Sequence, residues 1–117
     1  MVMGCGGEKE TLSAKSGTLT ASLSSNPSPP KSGHDSSFTI TLADNGSPLT
    51  GAQVRTEFFF VGLNQEGPKL PAQEMAPGQY TVNEVSIGMG GKWKVDVFVT
   101  RAGAPETKLT IPFQAGK

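Results

Sequence analysis

From Lys92 to Thr100 the chain alternates without a fault. Trp93, Val95, Val97 and Val99 fall on one side, Lys94, Asp96 and Phe98 on the other. A period of two puts these sets on opposite faces of a β-strand, apolar side inward. The same pattern recurs in Leu19, Ala21 and Leu23, in Phe38, Ile40 and Leu42, in Val54, Thr56, Phe58 and Phe60, and in Leu109, Ile111 and Phe113. Turn chemistry separates these runs: Asp44-Asn45-Gly46, Gly88-Met89-Gly90-Gly91 and Ala102-Gly103-Ala104-Pro105. No window shows an amphipathic helical period. About seven short strands at this spacing predict an all-β domain, an immunoglobulin-like sandwich of two antiparallel sheets. In that order the third strand, Gln53–Val61, and the sixth, Lys92–Thr100, pair within one sheet.

Two segments break the alternation. Tyr80 and Val82 share a face, but Val85 and Ile87 fall opposite, so a bulge is expected near Asn83 and Glu84. Residues 62–77 carry Gly62, Gly67, Pro68, Pro71 and Pro77 and read as loop with one short edge strand around Leu70.

Residues 1–16 read as a flexible, polar and glycine-rich tether, and residues 17–117 as one sandwich domain. Ten basic and ten acidic side chains cancel, so no field steers the chain toward nucleic acid. No run of 18 apolar residues crosses a bilayer. With one cysteine, no internal disulfide forms, and stability rests on the core.

Three motifs in order carry a family resemblance: Asp44-Asn45-Gly46-Ser47-Pro48 with Gly51-Ala52-Gln53-Val54, then Pro77-Gly78-Gln79-Tyr80, then Met89-Gly90-Gly91-Lys92-Trp93-Lys94-Val95-Asp96-Val97. Spanning about residues 38–100, they resemble the YtkA-like domain. That domain is related to FixH-type proteins and, more distantly, to extracytoplasmic copper-handling sandwiches. The resemblance implies an envelope location and a non-enzymatic role. In some members it implies a link to copper or oxidase assembly. Such members often carry methionines just after the third strand, where this chain has Phe58-Phe59-Phe60-Val61-Gly62-Leu63. Met89 matches the family's methionine before the Gly-x-Trp segment.

Cys5, in Val2-Met3-Gly4-Cys5-Gly6, resembles the end of a bacterial lipobox. A lipid there, then a polar tether, then a globular domain, makes physical sense of residues 1–16. The hydrophobic region of a signal peptide is missing, so this reading expects a trimmed chain or a misassigned start. The plain alternative is an incidental thiol. His34 lies beside Asp35, Ser36 and Ser37, but adjacent residues rarely aim at one another, and a solvated loop histidine is the plain reading. A soft metal site would draw on His34, Met75 and Met89 and would prefer Cu(I), although methionines more often fill gaps in cores. Phe59 and Phe98 point away from the core by parity. If strands three and six pair, the two rings are expected in contact on the outer face, with Val61 nearby, as a site for an envelope protein partner. The alternative is that residues 62–77 fold over them. No catalytic group is expected, and the only membrane contact expected is through the lipid. The chain reads as an envelope accessory lipoprotein, with copper or heavy-metal handling as the other reading.

Overall fold

A computed structural model describes residues 12–26 and 35–116. The strands are β1 (Leu12–Ser16), β2 (Leu19–Asn26), β3 (Asp35–Asp44), β4 (Ser47–Pro48), β5 (Gln53–Phe60), β6 (Gln65–Ala76), β7 (Gln79–Ser86), β8 (Gly91–Thr100) and β9 (Thr107–Ala115). Among the described residues there is no α-helix; a 3-10 turn, Val61–Leu63, follows β5. All pairings are antiparallel, in the order β1-β2-β3-β7-β6-β5-β8-β9, with β4 hydrogen-bonded to β3. One layer is β1-β2-β3-β7 and the other β5-β8-β9. The expected pairing of the third and sixth strands is present as β5 with β8.

The fold is the expected antiparallel sandwich with two more strands than the alternation shows. Leu12–Ser16, expected within the tether, is instead a strand paired with β2. The segment expected as loop holds the longest strand, β6. Its residues 65–72 pair with β5 and residues 73–76 with β7, so β6 joins the two layers along one edge. Each half of β6 has a ladder on one side only, which is why Pro68 and Pro71 fit: an unpaired edge needs no N–H.

The core is the alternating set. Phe38, Ile40, Leu42, Phe58, Tyr80, Val85, Val95, Val97 and Ile111 are essentially sealed. Thr56 is the polar member of its face, and its hydroxyl donates to the Leu70 carbonyl at 2.8 Å. Phe58 packs edge-on against Phe113, with Phe38 tilted between them. The parity break in β7 is a bulge. Phe38 pairs with Val82 and Ser36 with Val85, so Asn83 and Glu84 together face Ser37, with Glu84 in the left-handed region at φ 58°.

Tyr80 ties the layers together. Its hydroxyl donates to the Leu49 carbonyl at 2.8 Å and accepts from the Ala52 N–H at 3.1 Å. The Glu74 carboxylate accepts from the N–H of Gly51 and of Gly78. At Gly78, φ is +76°, and a Cβ would lie 2.9 Å from the Pro48 Cβ and 3.0 Å from the Leu42 carbonyl oxygen. Only glycine fits that approach.

Tyr80→Phe is expected to lower stability at pH 7 by about 1–3 kcal/mol, because it strands both partners of the hydroxyl. Burial, more than any other cause, holds the phenol above its ordinary value. Folding therefore favours the neutral phenol. That contribution is complete below about pH 10 and fades as the pH rises through the raised value. Urea titrations from pH 7 to 11 should show the gap between the two proteins narrowing only on the alkaline side.

Candidate functional site

The outer face of β6-β5-β8-β9 is ordered in rows by the register. One row is Pro71, Arg55, Phe98 and Lys108; the next is Lys69, Glu57, Asp96 and Thr110; the third is Glu66, Phe59, Lys94 and Pro112. Phe59 and Phe98 both lie on this face, half-buried, as parity requires. They are not in contact, which corrects the expectation. Phe59 is opposite Lys94 and Phe98 opposite Arg55, so four residues, about 13 Å of strand, separate the rings.

Neither ring lies under residues 62–77. Each is covered by the cation across from it. The Arg55 guanidinium carbon sits 3.9 Å from the Phe98 ring centroid, and the Lys94 ammonium 5.1 Å from that of Phe59. Carboxylates hold Arg55 in place: Glu57 at 2.7 Å and Glu106 at 3.3 Å. Its guanidinium is pushed above its ordinary value, first by the hydrogen bond to Glu57 and then by that to Glu106, so it stays charged. Asp96 accepts from the Thr110 hydroxyl at 2.7 Å between the two rings. The face thus carries charges of both signs, with Glu57 and Asp96 side by side at its centre, and two capped aromatic platforms. Arg55 and Lys94 are the members that sequence reasoning missed. Their charge was visible, but which ring each one meets depends on register.

Val61 does not continue β5. The backbone turns at Val61–Leu63 and closes at Asn64, in the left-handed region at φ 53°. Val61 therefore lies at the end of the sandwich, near the Phe59 end of the face and away from Phe98. Gly62 and Gly91 both approach the Phe60 ring, at 3.0 and 3.2 Å from where a Cβ would be. Phe60 in turn packs on Trp93 with centroids 5.0 Å apart.

Of the expected metal ligands, Met75 and Met89 do not come together. Met75 lies beside Tyr80 and Gln79 at the start of β7, whereas Met89 follows its end. The strand between them is about 20 Å long, far beyond a shared coordination sphere. The Met89 carbonyl accepts from the Trp93 indole N–H at 2.9 Å, which gives its segment a structural use. Among the described residues no group of three or more His, Cys, Asp or Glu side chains is placed to hold a metal. His34 and Cys5 lie outside the described residues.

Two solved structures share this architecture. The PmoD soluble domain from Methylocystis sp. ATCC 49242 (Rockwell) is 12% identical, with a TM-score of 0.63, over 88% of this chain and 96% of that one. A DUF4426 family protein from Pseudomonas aeruginosa PAO1 is 14% identical, with a TM-score of 0.61, over 92% of this chain and 97% of that one. At these identities the likeness is one of fold. No curated protein matches the chain. The YtkA-like family model matches residues 13–98, from β1 to near the end of β8 and through every motif named above, and the chain belongs to that family.

Proposed function

We propose that this chain is a non-enzymatic accessory module of the bacterial envelope that binds a protein partner through the outer face of β6-β5-β8-β9. One observation carries the reading: the fold sets two phenylalanines outside a core that does not use them, Phe98 under the carboxylate-held Arg55 and Phe59 under Lys94. Protein interfaces favour aromatic and arginine side chains at their centre. The cap on Phe59 is worth only about 0.5–1 kcal/mol at an exposed site, so an incoming acidic or apolar group displaces Lys94 at little cost. The charges of both signs around the rings supply register and a polar rim.

The motif residues support the same division of labour. Tyr80, Gly78 (through Glu74) and Trp93 are engaged in holding the scaffold, which leaves the outward positions to meet a partner. A photo-crosslinking residue at position 98 should yield an adduct with an envelope protein in cells making the full chain. The same probe at Glu84, on the other layer, should not. The Phe59→Ser, Phe98→Ser double variant should keep its melting profile and lose the partner. Adducts from both layers, or full partner recovery with the double variant, would exclude this face.

The lipobox-like Cys5 supports an anchored location. The native-length product should fractionate with membranes and its Cys5→Ser variant should not; equal partition of the two would remove the anchor.

Cu(I) titration under reducing conditions separates this reading from metal handling. With Met75 and Met89 at opposite ends of β7, their methyl resonances should not shift together. Joint shifts saturating at one equivalent would favour the metal-handling reading.

A further inference from the structure

Among the described residues four large apolar side chains stand exposed: Val61 (46%), Leu63 (63%) and Met89 (38%) share one end of the sandwich, and Met75 lies elsewhere. Val61 and Leu63 project from the 3-10 turn after β5. Met89 is fixed beside them by its carbonyl on the Trp93 indole. Between the turn and the β9 edge runs a shallow hollow of about 350 Å³, lined by Leu12, Val61, Lys92, Trp93, Pro112 and Phe113 among others. Trp93, which lines it, packs on the Phe60 ring. This end is firm: glycine at 62 and 91 lets Phe60 close under the turn.

Leu12, the first described residue of β1, lines that same hollow. Whatever holds the chain upstream of Leu12 therefore pulls on this end. Cys5 precedes Leu12 by seven residues, a reach of at most about 25 Å when fully extended. The domain itself measures 41 Å in its longest direction. An anchor at Cys5 keeps the Val61–Leu63 end nearest the membrane.

We propose that this end is a membrane-resting surface. Val61, Leu63 and Met89 dip into the interfacial region of the bilayer, and Lys92 meets lipid phosphates beside them. The surface is too small to hold the protein alone; it orients a domain that the N-terminus already tethers, as a second weak signal does beside a lipid chain. Oriented in this way, the β6-β5-β8-β9 face stands upright and open to a partner. The proposal rests on the anchored reading of Cys5 and refines it.

The test supplies its own anchor. Cys5 is the single thiol of the chain, so a maleimide lipid attaches the full-length protein there whether or not cells acylate it. On nanodiscs of phosphatidylethanolamine and phosphatidylglycerol containing a nitroxide lipid, amides of Val61, Leu63, Met89 and Lys92 should broaden severalfold more than those of Met75, Gly46 and Gly103. The Val61→Ser, Leu63→Ser variant changes exposed side chains only, and it should keep its melting profile and lose the selectivity. Uniform broadening, or selectivity that survives the double serine change, would overturn the proposal. Dimerisation through Val61 and Leu63 without lipid would also overturn it, with a second copy as the occupant. Mass analysis of the cell-made protein decides separately whether Cys5 carries a lipid, so failure of the anchor and failure of the surface are read independently.

Discussion

The Tyr80 hydroxyl fixes where β5 begins. It accepts from Ala52 and donates to Leu49, so the loop between β4 and β5 cannot slide along β7. A slip of one residue in β5 would turn Val54, Phe58 and Phe60 out of the core and bring Arg55 and Phe59 in. The buried phenol therefore sets register in one layer by holding a loop to the other. Glu74 reinforces the arrangement by spanning Gly51 and Gly78 from β6, the strand that joins both layers. The identity of the outer face follows from that register.

Local alternation made most of the fold legible. Every inward residue expected on the clear strands is buried, and the parity break at Asn83 and Glu84 located the bulge. β6 was hidden by its prolines, which normally argue against a strand. They are allowed because neither half of β6 is paired on both sides. β1 was hidden by its polarity. As an edge strand it needs only Leu12 and Ala14 to touch the core, and both are partly buried against it. The short β4 hairpin adds little beyond the Asn45-Gly46 turn, where φ of 54° and 86° gives the geometry that an Asn-Gly pair favours.

The candidate site was legible in direction but not in position. Parity alone sends Phe59 and Phe98 outward. Their separation depends on which residue of β8 faces which residue of β5, and alternation is indifferent to a shift of two. The actual register pairs each ring with a cation instead of with the other ring. An outward aromatic in a strand is thus satisfied by its cross-strand neighbour before any loop or partner is needed. Val61 departed for a different reason. The strand ends one residue early, and the 3-10 turn carries it off the face altogether.

Family membership and function part company at this point. The residues that carry the family resemblance have structural uses. Asn45 and Gly46 make a turn, and Gly78 allows a backbone approach that a Cβ would block. Tyr80 bridges a loop, and Trp93 holds the Met89 carbonyl. A chain with these residues has this scaffold. None of these five commits the outward positions 55, 59 and 98 or the apolar turn at 61–63. A ligand shared with other members would have to be read from those positions, because function sits on the surface that the scaffold presents and not in the scaffold.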